Sequence, residues 1–96
     1  MQIQQKQKDN KGTFYIEEGG ITLAELVYTM ANPQLMEIEH TEVSDTLRGQ
    51  NIGYKLVHTA ATFARENNIK ILPLCPFAKA VMEKRIEEFE DVRSAI

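Results

Sequence analysis

The sequence holds one cysteine, Cys75, and no tryptophan. One thiol cannot close an intramolecular disulfide, so a stapled secreted scaffold is excluded, and a cysteine-rich zinc site with it. A lone free thiol fits a reducing compartment, and the chain is expected to be cytoplasmic. Aromatics make up 7% of residues, too few for the stacking platforms that bind single-stranded nucleic acid. The formal charge is −3, whereas a general nucleic-acid binder is basic; no nucleic-acid partner is expected. No run approaches the roughly 18 apolar residues that span a bilayer. The opening Met1-Gln2-Ile3-Gln4-Gln5-Lys6 has no apolar segment of a signal sequence. No membrane partner and no metal are expected.

What is present suits one small core. A chain of 96 residues with 43% hydrophobic and 26% charged side chains reads as a single domain over residues 1–96, with a monomer expected. The first third alternates. Residues 13–17 (Thr-Phe-Tyr-Ile-Glu) have period two and read as a strand, preceded by turn material over 8–12 and a polar edge strand over 2–7. Gly19-Gly20 is a hairpin signal. Residues 21–30 then form a long strand, residues 31–34 a turn, and residues 35–43 a third strand. Hairpin connections make this part of the sheet antiparallel.

The period then changes. Between Gly49 and Asn67 the apolar positions Ile52, Leu56, Ala60, Phe63 and Ala64 have helical spacing, with Tyr54, Lys55, His58, Thr62 and Arg65 on the other side. Residues 69–74 are a short apolar strand. Strand, helix and strand in this order predict a βαβ crossover and a parallel pairing. Pro76 opens a further helix, with Phe77, Ala80, Val81 and Ile86 as its expected buried positions. The acidic tail over 87–92 reads as a solvated helix end. The expected fold class is α/β, with a mixed, mostly antiparallel sheet packed by helices.

The most informative segment is Val43-Ser44-Asp45-Thr46-Leu47-Arg48-Gly49-Gln50-Asn51-Ile52-Gly53, between a strand and an amphipathic helix. Such a loop aims backbone N–H groups and a helix dipole at one anion, and Arg48 adds a charge-assisted fork. It is not a Walker loop, because three residues rather than four separate Gly49 from Gly53 and Leu56 follows Lys55. Asn51 breaks any G-x-G-x-x-G. From loop chemistry alone, phosphate binding and a plain strand-to-helix turn stand level.

His40-Thr41-Glu42-Val43, followed by Arg48-Gly49-Gln50-Asn51-Ile52-Gly53 and the amphipathic helix, resembles motif A of the GNAT superfamily of N-acetyltransferases. The family pattern is Gln/Arg-x-x-Gly-x-Gly/Ala. Arg48, Asn51 and Gly53 fall on its defined positions, with Asn51 where the family has Gly. Leu74-Cys75-Pro76-Phe77-Ala78-Lys79-Ala80-Val81 resembles the segment after strand five in a small, minimal branch, which carries a His on strand four and a Cys after strand five. The resemblance covers roughly residues 15–92. It implies a truncated GNAT fold without the N-terminal helices that form the acceptor side, with acetyl-CoA as the acyl donor. It implies that Glu42 and Val43 pair with the pantetheine arm. Arg48, Gly49, Gln50, Asn51, Ile52 and Gly53 would hold the pyrophosphate, with Cys75, Phe77 and Lys79 completing the cofactor site. The helix tyrosine that many full-length members use to protonate the departing thiolate is absent.

Three residues are candidate catalysts. Cys75 precedes Pro76, a favoured first helical residue, so its thiol falls at a helix N-terminus that lowers thiol pKa; the alternative is an inert core cysteine. His40 is expected on the strand face of Met36 and Ile38, with Glu37, Glu39 and Thr41 opposite, and is paired with Cys75 as base or orienting group. Glu42, like Glu39, is a candidate base for an acceptor amine. The expected function is acetyl-CoA-dependent N-acetyl transfer to an amine of unknown identity, with an acyl-Cys75 route left open. The alternatives are a CoA- or acyl-CoA-binding protein or adaptor without efficient catalysis, and a plain interaction module.

Overall fold

A computed structural model describes residues 2–94. Five strands, β1 (Gln4–Lys8), β2 (Lys11–Glu18), β3 (Ile21–Asn32), β4 (Leu35–Val43) and β5 (Lys70–Pro73), form one sheet in the order β1-β2-β3-β4-β5. The first three pairings are antiparallel and β4–β5 is parallel. Helix α1 (Ile52–Glu66) makes the crossover between β4 and β5, and α2 (Pro76–Lys84) and the short α3 (Ile86–Phe89) follow β5. Gly19 and Gly20, at φ 58° and 79°, turn the β2–β3 hairpin in the left-handed region that glycine enters freely. Pro33-Gln34 joins β3 to β4, and the N–H of Gln34 donates to the side chain of Asn32.

One face of the sheet carries the buried side chains. Phe14, Ile16, Leu26, Tyr28, Met36 and Ile38 meet Leu56, Val57, Ala60, Ala61 and Ala64 of α1 and Ala78 and Met82 of α2. The expected α1 face is therefore right in phase, but Val57 and Ala61 are buried where Phe63 is only half-buried. In α2 the expected face is displaced. Ala78 and Met82 enter the core, whereas Phe77 and Ala80 are exposed, as is Ile86 at the start of α3, and Val81 is half-buried. Pro76 at the first turn fixes the helix phase, and the Phe77–Val81 side faces a cleft instead.

The acidic tail is tied down rather than free. Phe89 and Val92 are buried. Arg65 donates to both oxygens of Asp91, at 2.6 and 3.0 Å. Tyr54 Oη donates to Glu88 at 2.7 Å, and His58 Nδ1 lies 2.8 Å from the same carboxylate. Backbone bonds link Ile71 to Val92 and Ser94, alongside β5.

Candidate active site

The parallel pairing of β4 with β5 ends at Ile38↔Pro73. Leu74 and Cys75 both direct their N–H groups to Ile38 O, at 2.9 and 3.0 Å, and the chain then turns into α2. Past Ile38, β4 continues to Val43 bonded to β3 alone. One edge of Glu39–Val43 therefore faces a gap rather than a strand, and β4 and β5 splay apart there.

A bulge inside β4 changes which side chains face the helices. Val27 pairs with His40 and Tyr28 with Ile38, so Glu39 is the extra residue. An extra residue reverses the alternation beyond it. Thr41 pairs with Leu26 and Val43 with Ala24, on the core face, while His40 and Glu42 pair with Val27 and Glu25 on the open face. The expected face sharing of Met36, Ile38 and His40 is thus corrected, and so is the expected His40–Cys75 pair. The side chain that meets the thiol is Thr41, with Sγ 3.7 Å from Oγ1.

Cys75 is the residue preceding the first turn of α2, and it is 6% exposed. Burial pushes its thiol pKa up. Backbone groups of Ala78 and Phe77 and the hydroxyl and backbone of Thr41 favour the thiolate more strongly, so the net position is below that of an ordinary thiol. The uncharged thiol makes no capping bond of its own.

Between β4 and α1 the chain makes a short capped turn and then a left-handed residue. Ser44 caps a short 3₁₀ turn (Asp45–Leu47) by accepting from the Thr46 N–H at 3.3 Å. Asn51 adopts φ 59°, ψ 33°, the left-handed conformation that explains glycine in the family pattern and that Asn tolerates. Its side chain makes no capping bond to α1. The first N–H groups of α1 consequently lack both an intrahelical acceptor and a side-chain cap. Arg48 is exposed and donates to Asp45 at 3.0 Å. Gly53 lies close under the Phe77 ring, where an added Cβ would be 2.5 Å from Cζ, so any side chain here must displace the ring.

Two cavities flank this region. The first, of about 370 Å³, runs between the loop and α2, bounded by Val43, Arg48, Gly49, Asn51, Gly53, Tyr54, Phe77, Val81, Lys84 and Arg85. Lys79 points off this cavity, being out of phase with Phe77, Val81 and Lys84 on the helix. Lys84 and Arg85, which the sequence did not single out, take the cationic place; the signal available was their i+7 and i+8 spacing from Phe77. The second, of about 320 Å³, lies against β3 and β4 and includes Glu25, Glu42 and Asp45. On the open face, ligand atoms of Glu25, His40 and Glu42 all lie within 4.8 Å of one another, a spacing suited to a cation or a protonated amine. Among the described residues no helix is long and apolar enough to cross a membrane.

A mixed sheet in which β4 and β5 diverge, with an uncapped helix opening beside the gap, is a fold of the GNAT type. The family model "GCN5-related N-acetyl-transferase" matches residues 13–92, and the chain belongs to that family. A GCN5-like protein from Staphylococcus aureus is 39% identical, with a TM-score of 0.71, over 97% of this chain and 89% of that one. Tetrahymena GCN5 has a TM-score of 0.65 at 15% identity, over 81% of this chain and 51% of that one. An acetyltransferase from Clostridium acetobutylicum, solved with acetyl-CoA, has a TM-score of 0.61 at 20% identity, over 78% and 56%. Below 25% identity the likeness concerns the fold. No curated protein matches the chain in sequence.

Proposed function

We propose that this chain transfers the acetyl group of acetyl-CoA to an amine, with the coenzyme and the acceptor meeting from opposite faces of the bulged strand β4. The observation that carries the reading is the Glu39 bulge at the mouth of the splay. It puts Thr41, Val43 and the Cys75 thiol on the helix side and His40 and Glu42 on the open side.

In this reading the pantetheine arm lies in the gap and pairs with backbone groups of Glu42 and Val43. The pyrophosphate sits at the opening of α1, held by N–H groups of residues 49–53 and by Arg48. The acceptor enters beside Glu25, His40 and Glu42, whose negative field favours a cationic amine. Glu42 takes a proton from the amine. The amine nitrogen then attacks the thioester carbon, and the backbone near Val43 polarises the carbonyl oxygen. The C–S bond breaks, and the coenzyme thiolate takes its proton from Cys75 or from solvent. His40 orients the acceptor beside Glu42.

A second route is favoured by the lowered thiol pKa. The Cys75 thiolate attacks the thioester, coenzyme A leaves, and the amine then takes the acetyl group from the sulfur. Mass spectrometry after mixing with acetyl-CoA distinguishes the two, because only this route adds an acetyl group to Cys75.

The test of the function has two stages. Calorimetry should detect coenzyme A binding, weakened by Arg48→Ala by roughly a kcal/mol or more. Thiol release from acetyl-CoA should then rise with amines from a panel of small amines, peptide N-termini and lysine peptides. Absence of binding refutes the reading. Binding without release across the panel leaves a coenzyme carrier.

A further inference from the structure

We propose that Lys84 and Arg85 form the seat of the 3′-phosphate of coenzyme A, making this chain selective for the coenzyme over its 3′-dephospho form. The inference rests on the reading of the 370 Å³ cavity as the coenzyme cleft.

The cavity lining combines cations from two elements with apolar and aromatic groups. Arg48 and the opening of α1 line it from the loop side, and Lys84 and Arg85 from the C-terminal end of α2. Gly53, Tyr54, Phe77 and Val81 complete the lining. A ligand that meets both cationic groups needs two anionic groups joined by a flat or apolar portion. Coenzyme A has this form, with its pyrophosphate, its adenosine and a 3′-phosphomonoester close to −2 in charge at neutral pH. The pyrophosphate belongs at the helix N-terminus, which leaves the cations of α2 for the monoester.

Two features prepare these cations. The Arg85 guanidinium lies 4.1 Å from the centre of the Tyr54 ring. The Tyr54 hydroxyl is in turn anchored on Glu88 at 2.7 Å. The stacking fixes the plane of a group whose fork suits phosphate oxygens. Of the neighbouring carboxylates, Glu83 pairs with Arg93 and Glu88 is bonded to Tyr54 and His58, while Glu87 shares a surface hollow with Lys84 and Arg85. Neither Lys84 nor Arg85 forms a salt bridge among the described residues. Arg85 feels the charge of Glu88 across the Tyr54 ring, and Lys84 is exposed, so neither cation is held in a close ion pair that a phosphate would have to break. The end of a helix carries partial negative charge, and an anion placed there needs cations of this kind to offset it.

The experiment measures the affinity of coenzyme A and of 3′-dephospho-coenzyme A for the parent, for Lys84→Gln with Arg85→Gln, and for Lys8→Gln as a charge control on β1. The parent should bind coenzyme A at least tenfold more tightly than the dephospho form. The double variant should lose that preference by weakening coenzyme A alone, and Lys8→Gln should keep it. Equal affinity of the parent for both ligands overturns the inference while leaving the coenzyme cleft standing. A double variant that weakens both ligands alike also overturns it, since the loss then comes from a disturbed α2. A parent that binds neither ligand refutes the cleft itself, and the inference with it.

Discussion

Two glycines in this molecule lie under aromatic rings, and the contrast between them separates scaffold from site. A Cβ at Gly12 would fall 2.2 Å from Tyr28 Cζ; at Gly53 it would fall 2.5 Å from Phe77 Cζ. The two contacts are almost equally tight. Their surroundings differ. The Tyr28 ring is fully buried, and its hydroxyl accepts from Gln5 at 2.9 Å and donates to Gln7 at 2.9 Å, both on β1. Phe77 is 44% exposed, at the edge of the proposed coenzyme cleft. A ring locked on every side transmits an intrusion into strain, whereas a ring with an open side turns away.

The largest expected effect follows from the locked ring. Gly12→Ala should destabilise the fold by about 3 kcal/mol, the upper range for overpacking a core. In a domain of this size that lowers the melting temperature by roughly 12 °C or more. The folded fraction should keep its coenzyme affinity, because β2 lies away from the cleft. A melting temperature within about 3 °C of the parent would mean that Tyr28 is free to move, and the contrast would fail.

Gly53→Ala should do the opposite. Phe77 swings outward at a stability cost below about 1 kcal/mol, since its far edge meets solvent. The displaced ring and the new methyl group then occupy the path of the coenzyme, and affinity should fall about tenfold, or roughly 1.4 kcal/mol. Thermal melting and calorimetry on the same sample check both halves. A large stability loss with unchanged affinity would make Gly53 another structural glycine.

The same contrast explains what could be read in advance. The hairpin strands, the βαβ crossover and the turn at Gly19-Gly20 are local patterns of period and punctuation, and residues 13–74 carried them openly. The strand-to-helix turn was legible too, and Asn51, which stands where the family has Gly, is left-handed. The Glu39 bulge was not legible. Period-two reading runs straight through Met36, Ile38 and His40, and nothing in Glu39 marks it as an extra residue. The pairing of β4 against β3 across Tyr28 and Val27 creates the bulge, and one extra residue exchanges His40 for Thr41 beside the thiol. Phe77 and Val81 failed for a related reason. Apolar residues at helical spacing signal a covered face, but the same residues line a cleft when only part of the helix packs.

A smaller effect tests the exchange directly. Thr41 helps hold the Cys75 thiol below its ordinary pKa, against the upward push of burial. Loss of the hydroxyl in Thr41→Val removes one stabiliser of the thiolate, so the pH at which iodoacetamide alkylation reaches half its maximal rate should move up. His40→Ala should leave it in place, since His40 lies on the other face of β4. Saturating coenzyme A should slow alkylation of the parent. A titration that follows His40 and ignores Thr41 would restore the pairing that the alternation suggests.

The smallest expected change is at Asn51, where two terms nearly cancel. A non-glycine residue at φ 59° carries a strain of about 1 kcal/mol, and Asn bears less of it than most. Asn51→Gly relieves that strain. It also loosens the unfolded chain, at a cost of about 0.4–1 kcal/mol. The melting temperature should therefore stay within a few degrees of the parent. Coenzyme affinity should be equal or slightly tighter, because the Asn51 side chain makes no capping bond to α1 and its removal opens the approach to the first N–H groups of the helix. A clear loss of affinity in a variant that melts normally would show that the Asn51 amide itself contacts the ligand. The loop would then recognise its anion through a side chain as well as through the backbone.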